Sequence, residues 1–106
     1  MSEAVGLIEV YGLVTAFVAA DAACKAANVT IEAFDRNKPA NAEKMAVPLI
    51  IMVKIRGSVS DVRAGVAAAV EAANGCAGVV TSHVIARPEE GTKKMLKINA
   101  LGSSSF

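Results

Sequence analysis

The stretch Leu49–Asp61, LIIMVKIRGSVSD, contains the strongest strand signal in the chain and the start of a helix directly after it. Residues Leu49–Arg56 are almost continuously apolar and rich in β-branched side chains, which is typical of a central strand buried on both faces. Gly57 ends this strand. Ser58 then precedes Asp61 at the spacing of a capping box, which marks a helix N-terminus. The stretch therefore predicts a central strand that leads directly into a packed helix.

The segments on either side continue the alternation of strands and helices. Apolar residues at helical spacing predict two long helices, one closed by Asn28 and one stopped by Asn74-Gly75. The expected strands are Glu3–Tyr11, Val29–Asp35, Leu49–Arg56 and Val79–Arg87, and a short terminal helix is expected at Thr92–Ile98. The order βαββαβ predicts an α+β, ferredoxin-like domain with a four-stranded antiparallel sheet and the helices on one face.

Each long helix has one apolar face in the sequence, and we expect both faces to pack against the sheet. The expected buried positions are Leu13, Ala16, Phe17, Ala20, Cys24 and Ala27 in the first helix and Val59, Val62, Val66, Ala69, Val70 and Ala73 in the second. On the polar side of the first helix, Asp21 and Lys25 have the spacing and the acid-first order that favour an ion pair.

The chain has 106 residues, the size of one domain, and its composition is rich in small apolar residues. Hydrophobic residues make up 54% of the sequence, aromatic residues only 4%, and the mean hydropathy is +0.47. Because a small domain leaves much of its surface outside its own core, we expect part of this apolar content at contacts between subunits. The alternative is a monomer with an alanine-rich surface. We expect one domain over residues 1–106, with a flexible tail at 98–106.

Charge and hydropathy argue against several classes of partner. The net charge is +1 and the charged residues are spread along the chain, so the sequence predicts no basic surface for nucleic acid. The longest apolar stretch, Met45–Val53, contains Pro48 and is about half of the ~20 residues that a membrane-spanning helix needs. The first residues lack the basic region of a secretory signal, and two cysteines in that context indicate reduced thiols in a cytoplasm. We therefore expect a cytoplasmic protein that binds neither nucleic acid nor membrane.

The titratable residues form no recognisable catalytic or metal-binding pattern. His83 is the only histidine and lies in an apolar strand, where a structural role is expected because metal and triad chemistry require a cluster. Cys24 and Cys76 match no CxxC spacing, and free cysteine is usually a small core residue. The carboxylates are dispersed, and no phosphate-binding glycine-rich loop follows the first strand. We expect no enzyme activity, no metal and no cofactor.

Four segments, in order and at the right spacing, resemble one known family, the single-domain shell proteins of bacterial microcompartments that consist of a BMC domain. The segments are Glu3–Leu13 (EAVGLIEVYGL), Ala19–Val29 (AADAACKAANV), Ile55–Val59 (IRGSV) and Ser82–Pro88 (SHVIARP). They resemble the family's opening strand with its Gly-Leu turn, its first helix, its R-G-D-V turn and its H-V-I-P-R-P segment. Ser58 stands in place of the aspartate, and Ala86 in place of the first proline.

The resemblance implies a structural shell protein, a cyclic homohexamer that tiles into a layer with a central pore for small metabolites. Its partners would be its own copies, other shell proteins and the enclosed enzymes. Lys25 and Arg87 match the family's lysine and arginine at the hexamer edge, which carry lateral assembly. The alternative for Lys25 is a local pair with Asp21 on a solvated helix. The alternative for the whole chain is an oligomeric ferredoxin-like domain that binds a small ligand or has a regulatory role.

The segment Phe34–Leu49, FDRNKPANAEKMAVPL, departs from the family, in which a short glycine-rich turn lines the pore. Lys38–Met45 is an apparent insertion. The segment has no cysteine, so an iron–sulfur cluster at the pore is not expected. We expect the loop to fold inward and narrow the pore, the alternative being a mobile insertion away from it. The expected pore-loop residues are Lys38, Asn41, Glu43, Lys44, Met45, Ala46, Val47, Pro48 and Leu49.

Overall fold

The computed structural model describes residues 3–37 and 49–97 of the chain. Its elements are β1 (Ala4–Tyr11), α1 (Leu13–Ala26), β2 (Thr30–Asn37), β3 (Ile50–Gly57), α2 (Val59–Asn74), β4 (Val79–Ile85) and α3 (Glu90–Met95). The predicted α+β class and the βαββαβ order are therefore confirmed. Within the described ranges, no helix combines the length and the hydropathy that crossing a membrane requires.

The strands form one four-stranded antiparallel sheet in the order β2-β3-β1-β4. The two central strands, β1 and β3, pair along their full length, from Ala4 opposite Gly57 to Tyr11 opposite Ile50. The prediction that the strand after residue 48 is central is confirmed, since β3 lies between β1 and β2. The edge strand β4 pairs with β1 alone, and the middle of β4 is exposed.

The C-terminal elements end or begin at positions other than those predicted. The strand β4 ends at Ile85 rather than Arg87, because Ile85 already pairs with Val5 near the start of β1 and the ladder has little partner strand left. The helix α3 begins at Glu90 rather than Thr92 and ends at Met95.

The helices α1 and α2 cover one face of the sheet, and the core lies between these two layers. Its largest fully buried side chains are Val5, Ile8, Val10, Ile51, Val53, Ile55 and Val62. The helix α2 approaches β1 so closely that a Cβ on Gly6 would lie 2.7 Å from Val66 Cγ2 and 2.9 Å from Ile55 Cγ1. Glycine at this strand position therefore permits the close contact between helix and sheet.

The predicted cap at the start of α2 is present. The Ser58 hydroxyl accepts a hydrogen bond from the Asp61 backbone N–H at 3.1 Å, and its oxygen lies 2.9 Å from Asp61 Oδ2, to which it donates. The other carboxylate oxygen of Asp61 accepts from the backbone N–H of Asn28 at 3.3 Å. The cap therefore also links the end of α1 to the start of α2. The predicted face of α2 is largely confirmed, with Val62, Val66, Ala69 and Ala73 buried and with Val59 and Val70 packed against the core.

The buried face of α1 is different from the predicted one. Its buried side chains are Thr15, Ala16, Ala19, Ala20 and Ala23. Of the predicted set, Ala16 and Ala20 are buried, whereas Leu13, Phe17 and Cys24 are exposed and Ala27 is half-buried. Small side chains face inward because α1 packs closely against α2, where a Cβ on Gly65 would lie 3.6 Å from Ala23 Cβ. The larger apolar side chains of the helix therefore face outward.

Candidate assembly surfaces

The first two turns of α1 expose an apolar stripe, which consists of Leu13, Val14, Phe17 and Val18. Val14 is 75% exposed and Phe17 is 55% exposed. The ring of Phe17 packs edge-to-face on the buried ring of Phe34 in β2, with 5.1 Å between the ring centroids, so the stripe lies on the side of α1 next to β2. Large apolar side chains grouped together on the surface are typical of a protein contact.

The later turns of α1 present a charged pair on the exposed side of the helix. Lys25 Nζ lies 2.7 Å from Asp21 Oδ2, and the two side chains are 77% and 62% exposed. The hydrogen bond to Asp21, followed by the charge of that carboxylate, raises the pKa of Lys25 above its ordinary value. The predicted local pair is therefore present, and the Lys25 ammonium stays charged and accessible at neutral pH. A pair this exposed stabilises the helix little, so the lysine remains available to another partner.

Lys25 and Arg87 belong to the same end of the domain, which we call the cation end. The last residues of α1 approach the end of β3, since a Cβ on Gly57 would lie 3.0 Å from the Asn28 carbonyl oxygen. Gly57 pairs with Ala4 at the start of β1, and the next residue of β1 pairs with the last residue of β4. Arg87 follows β4 at this end and is exposed. The structure therefore brings the two predicted edge residues to one end.

The segment 38–48 leaves and re-enters the sheet at the opposite end, which we call the loop end. Asn37, the last residue of β2, pairs with Ile50, the first residue of β3, and Tyr11 lies opposite Ile50 on the other side. Leu49 is half-buried and packs against the core, and its carbonyl oxygen accepts a hydrogen bond from the Gly12 N–H at 2.8 Å. The remaining predicted pore-loop residues lie outside the described residues: Lys38, Asn41, Glu43, Lys44, Met45, Ala46, Val47 and Pro48.

The histidine and the two cysteines do not lie in the core. The expectation of a buried cysteine is wrong, because Cys24 and Cys76 are exposed free thiols. His83 is also exposed, because β4 is an edge strand with little covering its middle residues. Across residues 3–37 and 49–97, no group of three or more histidine, cysteine, aspartate or glutamate side chains could hold a metal ion.

The sequence reasoning missed a buried lysine on the sheet face opposite α1 and α2. Lys54 of β3 is only 7% exposed, although it lies in the most apolar strand. Its Nζ lies 3.5 Å from Asp35 Oδ2 and 3.4 Å from the carbonyl oxygen of Met95, near the end of α3. An ammonium at a helix C-terminus satisfies carbonyl groups that lack intrahelical partners. The presence of a single lysine within an apolar strand was the sequence signal that could have indicated a buried, paired cation.

A second cation on the same sheet face joins three strands. Arg56 Nε donates to Glu32 Oε2 at 3.1 Å, and Arg56 Nη1 donates to Glu3 Oε1 at 3.1 Å. The hydrogen bond to Glu32 is the largest contribution that raises the pKa of Arg56, and the charges of Glu3 and Glu32 add to it. The alternation of Lys54 and Arg56 in β3 places both on one face, which the sequence could have indicated.

The comparison with known families matches the BMC domain over residues 4–88. The chain belongs to the BMC-domain family. The match includes every strand and both long helices, so it covers the cation end and both sides of the loop end. The predicted resemblance is confirmed.

Curated BMC-domain relatives align with nearly the whole chain. The carboxysome shell protein CcmK2 of Synechocystis sp. is 40% identical over 100 residues, which are 92% of this chain and 88% of the relative. The bacterial microcompartment shell protein PduA of Salmonella typhimurium is 36% identical over 94 residues, which are 89% of this chain and 90% of the relative. These relatives are structural shell proteins, and this BMC-domain chain is accordingly a shell protein rather than an enzyme. Its place is the microcompartment shell within the bacterial cytoplasm.

A solved structure supports the same fold. The crystal structure of a microcompartments protein from Desulfitobacterium hafniense DCB superposes with a TM-score of 0.70 at 22% identity. The alignment covers 97% of this chain and 51% of that chain, so the BMC domain described here spans about half of the solved structure.

Proposed function

We propose that the chain forms a cyclic homohexamer that tiles into the microcompartment shell, with a central pore through which small metabolites cross. The observation that carries this proposal is the separation of the two ends. The loop end holds the segment that the family places at the pore, and the cation end holds Lys25 and Arg87. A ring of copies with the loop end at its axis would present the cation end at its rim.

The apolar stripe of α1 supplies one side of the contact within the ring. A closed ring uses heterologous contacts, so each chain needs two different complementary surfaces. The stripe lies on the side of α1 next to β2, whereas the exposed edge strand β4 lies at the far side of the sheet. Neighbouring copies related by rotation would cover the stripe and so remove Val14 and Phe17 from water.

Lateral assembly is assigned to the rim. The Lys25 ammonium has three donors and can meet backbone carbonyl groups of a neighbouring hexamer, which would otherwise lack partners at the seam. Arg87 contributes a planar fork of donors beside it. The partners of the completed layer are further copies of this chain, other shell proteins and the enclosed enzymes.

At the axis, copies of the segment 38–48 would surround the opening. Lys38, Glu43 and Lys44 bring both signs of charge to this ring, and Asn41 adds an amide. We propose that Met45 to Pro48 lie nearest to the axis, where apolar residues bury against their symmetry mates, whereas Leu49 packs against the core of its own chain. The pore would then be narrower than one lined by a short glycine-rich turn.

Sedimentation velocity at micromolar protein tests the ring. The wild-type chain should sediment as one six-chain species. Val14→Asp should give folded monomers, because it places a carboxylate in the proposed contact without touching the core. Ala67→Asp, an exposed position on α2, is the matched control and should leave the ring intact. A persistent wild-type monomer, or a Val14→Asp variant that still forms the ring, would overturn the proposal.

A further inference from the structure

A pocket of about 420 Å³ opens between α3 and the face of the sheet that α1 and α2 leave uncovered. Its volume falls in the range of small-molecule sites. The residues that line it come from β1 and the residue before it, from β2, β3 and α3, and from the segments on either side of α3. They are Glu3, Val5, Glu32, Arg56, Pro88, Glu90, Lys93, Lys94, Leu96 and Lys97.

The wall of the pocket that α3 supplies carries excess positive charge. Lys93 pairs with Glu90 at 3.4 Å. In the part of the chain that the structure describes, no carboxylate lies within ion-pair distance of Lys94 or Lys97. Two lysines that face one pocket without acidic partners repel each other, and an anion between them would relieve this repulsion.

The opposite wall has excess acceptors. Arg56 is shared between Glu3 and Glu32, so this cluster has one more carboxylate than it has cations. A carboxylate has about four acceptor positions, and the hydrogen bonds from Arg56 to Glu3 and Glu32 leave several of them open. These positions suit hydroxyl groups of a ligand, which donate hydrogen bonds and carry no opposing negative charge.

Between these walls the pocket is apolar and its shape is fixed by buried contacts. Val5, Pro88 and Leu96 are buried and line it. The contact between Lys54 Nζ and the Met95 carbonyl oxygen holds the end of α3 next to the sheet. The end of α3 is therefore attached to the sheet beside the pocket.

We propose that this pocket binds a small hydroxylated organic phosphate, with its phosphoryl group at Lys94 and Lys97 and its hydroxyl groups at Glu3 and Glu32. The ammonium groups of lysine are compact charges that suit a phosphate. The carbon skeleton would lie over Val5 and Pro88. The pocket forms within one chain, so binding is expected of the monomer as well.

Isothermal titration calorimetry with ribose 5-phosphate tests the proposal on the full chain. The wild type should bind saturably, and the double variant Lys94→Ala, Lys97→Ala should bind at least roughly tenfold more weakly, since it loses two charge-assisted contacts. Arg63→Ala removes an exposed cation from α2, outside the pocket, and should bind as the wild type does. Ribose should not bind, because it lacks the phosphoryl group.

Several results would overturn the proposal. They are an absence of saturable binding, equal binding by the double variant, an equal loss in Arg63→Ala, or inorganic phosphate binding as tightly as ribose 5-phosphate. Sedimentation of the same samples separates this test from that of the proposed function. A chain that is monomeric and still binds ribose 5-phosphate would support the pocket alone, and a hexamer without binding would support the ring alone.

Discussion

The absence of a side chain at Gly6 allows the helix α2 to lie close to the sheet. The nearest atoms to a Cβ at this position belong to Val66 and Ile55, both buried in the core, so these neighbours cannot move into solvent. The Ser58–Asp61 cap is equally local, and its residue types and spacing were sufficient to predict it. The place of Cys24 was not predictable in this way, because a cysteine fits either a buried or an exposed helix position.

Gly6→Ala should lower the free energy of unfolding by about 1–3 kcal/mol, the usual cost of an extra methyl group in a packed core. Urea unfolding measures this, at one fixed protein concentration because association adds to stability. Gly91→Ala is the matched control, since a Cβ there has no atom within 4 Å and alanine is the better helix former. An equal loss in both variants would contradict the packing argument.

The elements were predictable in type and order, but the orientation of α1 about its axis was not. Alanines occur all around this helix, so its sequence does not distinguish the face that fits closely against α2 from the face that carries Leu13 and Phe17. Ranking by hydrophobicity places these two residues inside. The structure places them outside, because the close packing of α1 and α2 admits only small side chains. The missing information was the size limit at the contact between the helices.

The attachment of α3 to the sheet depends on Lys54. In Lys54→Met the Met95 carbonyl oxygen and Asp35 lose this ammonium, so the backbone amides of α3 should exchange with deuterium roughly tenfold faster or more, as expected when a buried charged hydrogen bond is lost. Hydrogen–deuterium exchange read by mass spectrometry measures this. Lys93→Met removes only the exposed pair with Glu90 and should change the exchange of α3 little. Unchanged exchange in Lys54→Met would contradict a role of Lys54 in attaching the helix.

At the scale of the whole molecule, the antiparallel register places the loop end and the cation end on opposite sides of the domain. The strand order brings the end of α1 and the residues after β4 together, although Lys25 and Arg87 are far apart in sequence. The sequence predicted both residues through resemblance to the family. It did not predict the network of Lys54 and Arg56, because the lysine appeared as one charge in an apolar strand and its partners come from distant segments.

If Lys25 lies at the proposed rim, Lys25→Ala should leave the hexamer intact and abolish extended layers, because it removes donors at the rim and none within the ring. Sedimentation reports the ring, and negative-stain electron microscopy of overexpressing cells reports the layers. Asp21→Ala is the informative control, since it breaks the pair within α1 and retains the ammonium, so layers should persist. Loss of layers in both variants would assign the effect to the local pair rather than to a seam.

Arg87→Lys should weaken layers, because lysine does not reproduce the donor fork.

The outward apolar stripe of α1 also bears on how a cell keeps the number of subunits in balance. Chaperones and proteases act on solvent-exposed large apolar side chains, and a folded but unassembled chain displays Val14 and Phe17 in this way. If the proposed ring covers the stripe, copies incorporated into it would hide these side chains and would escape degradation. Surplus copies would keep the stripe exposed and would be removed. The amount of this protein in the cell would then follow the area of shell under construction rather than its rate of synthesis.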